Sequence, residues 1–493
     1  MKKIHRRRFL EAAASTCALY AVPAPALLAS PKPNEEVRTV VLGLGNKGRE
    51  HALVLNRLQK EKKNVKLAGL CEVDSARLDR ALQTLKTEKT YSDPRAVFDD
   101  QNIDAVTIAT PNHWHCLGSI WAMEAGKHVY VEKPLCLTFW EGTQLFNASR
   151  KYRKCVQIGT QMRTDKNSHA EVKKFLHEEK ALGKILSVRV NRYAVRRPIG
   201  LRQTPLLPQP ELNYDLWLGP ARDLPLFRNK IHYDWHFMWN TGNGETGNWG
   251  AHLLDDCRND VFLNELTLPK RVFACGGRLG EKDAGETPNT MFTYFDTGSA
   301  PVIFGFSGLE NRDSRGKTCP FSGPDSGYIV YCEGGTFVRP WGTSAAFDNT
   351  GKKIREFAAS DYRKGTYEHI FNFTESVRFD DPSNLNGEIK YGFDSSFWYN
   401  SANTAWRLAK EWSREKAMEM AKDTGKLGEM LDDMKNYLDT QNISLDKSFT
   451  LSPMLTLDPA SRRFIGENAE EANALMDAKP GRGRFTVPEV TLN

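Results

Sequence analysis

The sequence predicts an α/β protein, in which a doubly wound parallel sheet is followed by a second α/β domain on a large, mostly antiparallel open sheet. Three observations carry this expectation. Five short apolar runs between Val37 and Gly159 alternate with polar, helix-patterned stretches, as expected for strands buried on both faces by the helices between them. A glycine-rich turn follows the first run directly. Further on, the period changes to apolar/polar alternation with turn residues between runs, the pattern of half-buried antiparallel strands.

The elements follow in order. Residues 1–29 read as an export leader: a basic start (Lys2, Lys3, Arg6, Arg7, Arg8), an apolar stretch from Phe9 to Val22, and Ala24-Pro25-Ala26 as a small-x-small cleavage site, with removal near 26–30. Arg6-Arg7-Arg8-Phe9-Leu10 resembles the twin-arginine signal, whose route moves folded proteins. A general secretory signal is the alternative. The apolar stretch is too short for a membrane anchor, so a periplasmic protein is expected. Without its first 26 residues the chain falls from +7 to +3. No downstream lysine/arginine run remains to neutralise phosphates, which disfavours a nucleic-acid partner. The nine cysteines are scattered singly, none in a metal-binding spacing, so no metal is expected. Several lie inside apolar runs, as buried thiols would.

Residues 35–159 form the predicted nucleotide-binding domain, with strands in VRTVVLG, VKLAGLCEVD, DAVTIATP, KHVYVEKP and KCVQIGT. Residues 160–410 form the second domain. It opens with a helix near Ser168–Glu179, continues through GKILSVRVNRY, RVFACGG, TMFTYFDTGSAPVIFGFSG and SGYIVYCEGGTFV as strands, and then carries helices in TYEHIFNFTESVRF and around Ser401–Ala417. The extension 411–493 is polar and mixed, and is expected to wrap the surface or add a partner contact.

In VVLGLGNKG, Gly43, Gly45 and Gly48 make G-x-G-x-x-G between a strand and a helix. The glycines allow a tight turn and close approach to a pyrophosphate, with the helix N-terminus, including Asn46 and Lys47, facing it. Glu72 ends the second strand, where its carboxylate would accept from a ribose 2′-hydroxyl and repel a 2′-phosphate, favouring NAD over NADP. A solvated strand-end charge is the alternative. Thr110, Asn112 and His115 of TPNHWH fall at the carboxyl edge of the sheet, where ligands bind; His113 and His115 could equally cap the next helix. Glu132 and Lys133 of VEKPL end the following strand, and Gln161 lies just past the fifth. An ammonium there could stabilise developing alkoxide character.

The third element is GNGETGNWGAHLLDD, with Asn248 and His252 four apart and so on one face if helical. A neutral imidazole there could take a hydroxyl proton, with Asp255 orienting it. A structural histidine under a glycine-rich loop is the competing reading. Aromatics crowd the approach, among them Tyr214, Trp217, Trp239 and Trp249. Tyr233, Trp235 and His236, with Asn248 and His252, are the candidate substrate contacts, because flat rings stack on sugar C–H faces.

The G-x-G-x-x-G turn, TPNHWH, VEKPL and GAHLLD, in this order, resemble the family of glucose–fructose oxidoreductase, inositol dehydrogenase and the rhizopine-catabolism proteins (Gfo/Idh/MocA) over roughly residues 37–410. NYDLWLGPA and GTYEHIFNFTESVRF resemble its exported bacterial branch. The resemblance implies a Rossmann domain, a C-terminal sheet that commonly mediates dimers or tetramers, and nicotinamide chemistry on a carbohydrate. By position it implies that Lys133 sits at the reaction centre and that His252 is the acid/base. Many members carry aspartate where this chain has Asn248, and an amide takes no proton. Since the periplasm is not expected to offer a nicotinamide pool, a tightly bound, internally recycled NAD is expected. Three functions remain open on the sequence: an oxidoreductase turning a sugar hydroxyl into a ketone, an NAD-dependent glycosidase, or a non-catalytic sugar-binding protein of the same fold.

Overall fold

The computed structural model describes residues 35–310, 323–359, 361–421 and 426–492; the leader lies outside them. Six parallel strands form the first sheet: β1 (Val37–Leu42), β2 (Val65–Cys71), β3 (Lys89–Tyr91), β4 (Ala105–Ile108), β5 (His128–Val131) and β6 (Val156–Ile158). Their order is β3-β2-β1-β4-β5-β6, so the order in which strands are added to the sheet reverses between β1 and β4. That switch point opens a crevice at the carboxyl ends of the strands. β1, β2, β4 and β5 are almost wholly buried, as continuous apolar runs require when helices cover both faces.

Among the described residues the second sheet has twelve strands, including β7 (Ile185–Tyr193), β8 (Arg271–Gly277), β9 (Thr290–Asp296) and β10 (Val302–Ser307), and is antiparallel except where β10 runs parallel to β7. Side chains alternate between its two faces. One face, with Val188, Val190, Phe304 and Phe306, shares a core with the helices Ala251–Asp260 and Ile389–Arg407, and the latter helix in turn contacts the helix Phe139–Tyr152 and β6 of the first domain. The helix Ile389–Arg407 starts and ends well before the expected 401–417. It is buried nearly all round, so it carries no amphipathic stripe to mark its ends in the sequence.

The extension 411–493 is more than a surface wrap. Thr450–Leu451 and Leu455–Asp458 pair with β8 (Arg271–Gly277) and lengthen the sheet. Helices Arg414–Ala421 and Lys426–Thr440 lay Leu427, Met430 and Met434 on the outer face over Phe273, Phe292 and Tyr294. The seven described cysteines are buried and unpaired. Among the described residues, no helix is long and apolar enough to cross a membrane.

Candidate functional site

The glycine turn between β1 and the helix Asn46–Lys60 has the shape of a phosphate cradle. Gly43 has φ +83°, and a Cβ on Gly48 would lie 1.7 Å from the Gly43 carbonyl oxygen, so neither position tolerates a side chain. Gly45 caps the helix without any side-chain hydrogen bond. The first-turn N–H groups are therefore free for a pyrophosphate, at the positive end of the helix. Beside the turn, Glu72 Oε2 accepts from the Leu44 N–H at 2.7 Å, and Oε1 accepts from the Val73 and Asp74 N–H groups at 2.8 and 3.2 Å. Burial pushes this carboxyl up, and the three N–H groups pull it back. A carboxylate has about four acceptor positions, which leaves one on Oε2 for a ribose hydroxyl. The donor set and the side-chain-free turn fit a dinucleotide.

Two cavities flank this turn. The first is lined by Gly43, Gly45, Glu72, Thr110, Pro111 and Trp114, and closed by Leu216, Trp217, His232 and Trp235 of the second domain. These last residues belong to a strap laced to the first domain. The Asn213 N–H donates to Val73 O at 2.9 Å, the Ser75 N–H to Glu211 O at 3.0 Å, and the Trp114 indole N–H to Leu216 O at 2.9 Å. His232 Nε2 lies 2.8 Å from Asp74 Oδ2. The chain's last residues fasten the strap in turn: Arg482 and Arg484 pair with Asp215 at 2.7 and 2.8 Å.

The second cavity, of about 580 Å³, runs from Gly45, Asn46 and Lys47 to Lys133, Asn248 and His252, with Tyr233, Trp235 and His236 in the wall. Lys133 Nζ donates to Asn248 O at 2.8 Å and to Asn248 Oδ1 at 2.9 Å, so the third N–H of the ammonium is left for a ligand. Burial, opposed by the Glu132 carboxylate, brings Lys133 down to about 8. Burial and the Lys133 charge hold His252 well below the usual histidine range, so its ring is neutral at neutral pH. His236 is likewise pushed down to about 4 by burial and stacks on Trp235 with ring centroids 3.6 Å apart. Tyr233 adopts φ +69°, a conformation that non-glycine residues hold only when the surroundings impose it.

Other expected residues stand behind these walls. Glu132 accepts from His51 Nε2 at 3.0 Å and from Gln161 at 2.9 Å, and lies under Lys133 as a buried countercharge. His115 braces two loops through Pro134 O at 2.7 Å and Thr110 O at 3.0 Å. Asn112 bonds Asn243 at 3.3 Å. Both are buried and line neither cavity. Asp255 corrects the expectation that it orients His252. Its carboxylate is bound by Arg163 at 2.5 and 2.7 Å and by Ser395 at 2.6 Å, as a fully buried charge requires. Asn248 and His252 do share one cavity, though by a wide π-type turn, Thr246–Gly250, that runs into the helix Ala251–Asp260.

Sequence reasoning missed Glu50, Arg77, Arg196, Trp341 and Tyr362, all in the second cavity. Arg196 is held by Glu245 at 2.8 and 3.0 Å. The Tyr362 hydroxyl receives Lys47 Nζ at 2.6 Å. Trp249 and Trp341 each pack edge-to-face with the His252 ring, the ring centroids 5.9 Å apart. Arg196 and Trp341 come from remote loops with no local signature, whereas Glu50 and Arg77 sit on the helices Asn46–Lys60 and Ser75–Leu82, just after the glycine turn and Glu72, and Tyr362 starts the helix that carries GTYEHIFNF.

Comparison with known proteins agrees with this geometry. Over 186 residues the chain is 32% identical to the α-N-acetylgalactosaminidase of Shewanella oneidensis, a match covering 32% of this chain and 40% of that protein. A glycosyl hydrolase family 109 protein of Shewanella sp. strain MR-4 gives the same figures. The chain thus spans less than half the length of these curated relatives. The fold is shared with levoglucosan dehydrogenase in complex with NADH (TM-score 0.56, 18% identity, 74% of this chain and 95% of that one) and with the WlbA dehydrogenase of Bordetella pertussis (0.55, 17%, 76% and 97%). Residues 37–160 match an oxidoreductase family with an NAD-binding Rossmann fold, and residues 196–437 match that family's C-terminal alpha/beta domain. With both of these domains matched over most of its length, this chain belongs to the Gfo/Idh/MocA oxidoreductase family.

Proposed function

We propose that the protein is an exported, NAD-dependent oxidoreductase that converts a hydroxyl of a sugar or glycoside into a ketone, with the cofactor retained and reset in the site. The observation that carries this reading is the meeting of Lys133, Asn248 and His252 in one cavity with the glycine turn. When bound, the nicotinamide supplies a hydride acceptor and donor. Lys133 offers its free N–H to the substrate oxygen and favours the alkoxide. His252, neutral through burial, takes the hydroxyl proton. Asn248 contributes no charge; it fixes the lysine. Trp249 and Trp341 flank the imidazole and limit water, and Tyr233 and Trp235 offer flat faces to the sugar ring. Retention is supported by the strap over the first cavity, with Trp217 and Trp235 in its lid.

A second reading is a glycosidase that expels the aglycone by elimination beside a transient ketone and then adds water, with no net oxidation. The similarity to the α-N-acetylgalactosaminidase favours it, as does Asn248, which leaves His252 to do the acid/base work. A homo-oligomer is part of both readings. It would use surface other than the sheet face covered by the helices Arg414–Ala421 and Lys426–Thr440.

The test is incubation of the purified protein, without added nucleotide, with aryl glycosides and pairs of free sugars. Ketone formation matched by reduction of a second sugar supports the first reading. Aglycone release without a lasting ketone supports the second. Neither product from any substrate contradicts both.

A further inference from the structure

We propose that a third cavity, separate from the two at the glycine turn, is a binding site for an acidic sugar, a monosaccharide unit carrying a carboxylate or sulfate. It measures about 360 Å³ and lies between the segment 220–243, the start of the helix Phe139–Tyr152, the end of the helix Ile389–Arg407 and residues 475–481. None of its lining residues belongs to either of the other cavities.

Its chemistry is one-sided. Arg222, Arg407 and Lys479 line it, and no aspartate or glutamate does. Lys479 is partly engaged, with Nζ 3.2 Å from Glu489 and over the Trp140 ring at 5.1 Å. Among the described residues, neither arginine makes a side-chain hydrogen bond, so both forks are open. The Arg407 guanidinium stands over the Trp239 ring at 5.2 Å. The carboxylate acting on it is Glu286, which lies outside the cavity lining and is occupied by the Trp239 N–H at 2.8 Å. A guanidinium fork facing a concave space matches the paired oxygens of a carboxylate or sulfate.

The floor argues for a sugar rather than a bare anion. Asn243, Asn400 and Asn403 line it and are buried. Asn403 is 5% exposed; its Nδ2 donates to Asn243 O at 3.0 Å, and its Oδ1 has no partner. A buried amide acceptor left without a donor is costly, and a sugar hydroxyl supplies one. The indole of Trp239 gives a flat apolar wall for the C–H face of the ring. An inorganic anion would use the arginines and leave the amide and the indole unused.

Isothermal titration at fixed ionic strength tests this with glucuronate, glucose 6-sulfate, glucose and inorganic sulfate. The proteins are the full chain, its Arg222→Gln/Arg407→Gln double variant, and Lys133→Met. We expect at least one acid sugar to bind the full chain and Lys133→Met alike, and to bind the double variant at least about tenfold more weakly, as loss of charge-assisted hydrogen bonds implies. Glucose and sulfate should bind more weakly than the acid sugar. Both arginines are exposed, so the double variant should melt as the parent does; an Arg407→Lys variant, which keeps the charge and loses the fork, should fall between. The proposal is overturned by no binding of either acid sugar, by equal affinity in the double variant, by loss of binding in Lys133→Met alone, or by sulfate binding as tightly as the sugar, the result for an adventitious ion only.

Discussion

The two cavities beside the glycine turn are built on different principles. The first is made from backbone: glycines without room for a side chain, N–H groups fixing Glu72, and a strap held by main-chain hydrogen bonds. Its walls are mainly apolar residues. The second is made from side chains brought together from remote parts of the chain: Lys133 after β5, Asn248 and His252 around a π-type turn, Trp341 after the strand Gly335–Pro340, and Tyr362 at a helix start. The first region is suited to hold, and the second to react. Holding by backbone needs residues that can do without side chains, whereas reaction needs specific atoms with shifted proton affinities.

Substitutions can separate the two. The largest effect is expected from Gly48→Ala, whose Cβ would meet the Gly43 carbonyl at 1.7 Å; the purified variant should contain no nucleotide, as read by absorbance after denaturation. His252→Ala should keep its nucleotide and lose turnover by about 10²–10⁴-fold, the usual weight of general acid–base catalysis. Lys133→Met should also keep its nucleotide, with turnover down about 10²–10³-fold, as for removal of one donor to a developing oxyanion. Unchanged rates in either would clear that residue of a chemical role.

A pH profile sharpens the same contrast. Lys133 has a third N–H and a positive charge to offer the substrate oxygen only when protonated, and its site brings it down to about 8, so turnover should fall as pH rises through that value while nucleotide content stays constant. His252 is held neutral well below the usual histidine range, so no loss near pH 6 is expected from it. The smallest effect belongs to the strap. Asp215→Ala removes two exposed ion pairs, each worth about 0.2–1 kcal/mol, and should speed nucleotide release severalfold at most, measured by dilution into excess labelled NAD.

The same contrast explains what the sequence makes legible. The turn at Gly43–Gly48 and Glu72 after β2 are local signatures, because the backbone work each does depends on near neighbours; Lys133 is legible from its strand end, but its partner Asn248 is remote. The alternation of β8 and the strands that follow is likewise local. Asp255 misleads because its spacing from His252 suits a helix partner, whereas its actual partners, Arg163 and Ser395, are brought to it by the tertiary fold. The ties of His115 to Pro134 and Thr110 are likewise tertiary, and no spacing in the sequence announces them. The strands of the extension are two to four residues long, too short for any period to register, and they form through tertiary pairing with β8 and with one another.

The central claim is that this chain carries NAD enclosed under its strap. Mass spectrometry of nucleotide released by denaturing the protein, after purification and extensive gel filtration without added cofactor, tests it most directly. Close to one NAD per chain is expected. Protein that is fully folded and releases no nucleotide, or releases NADP, would contradict it.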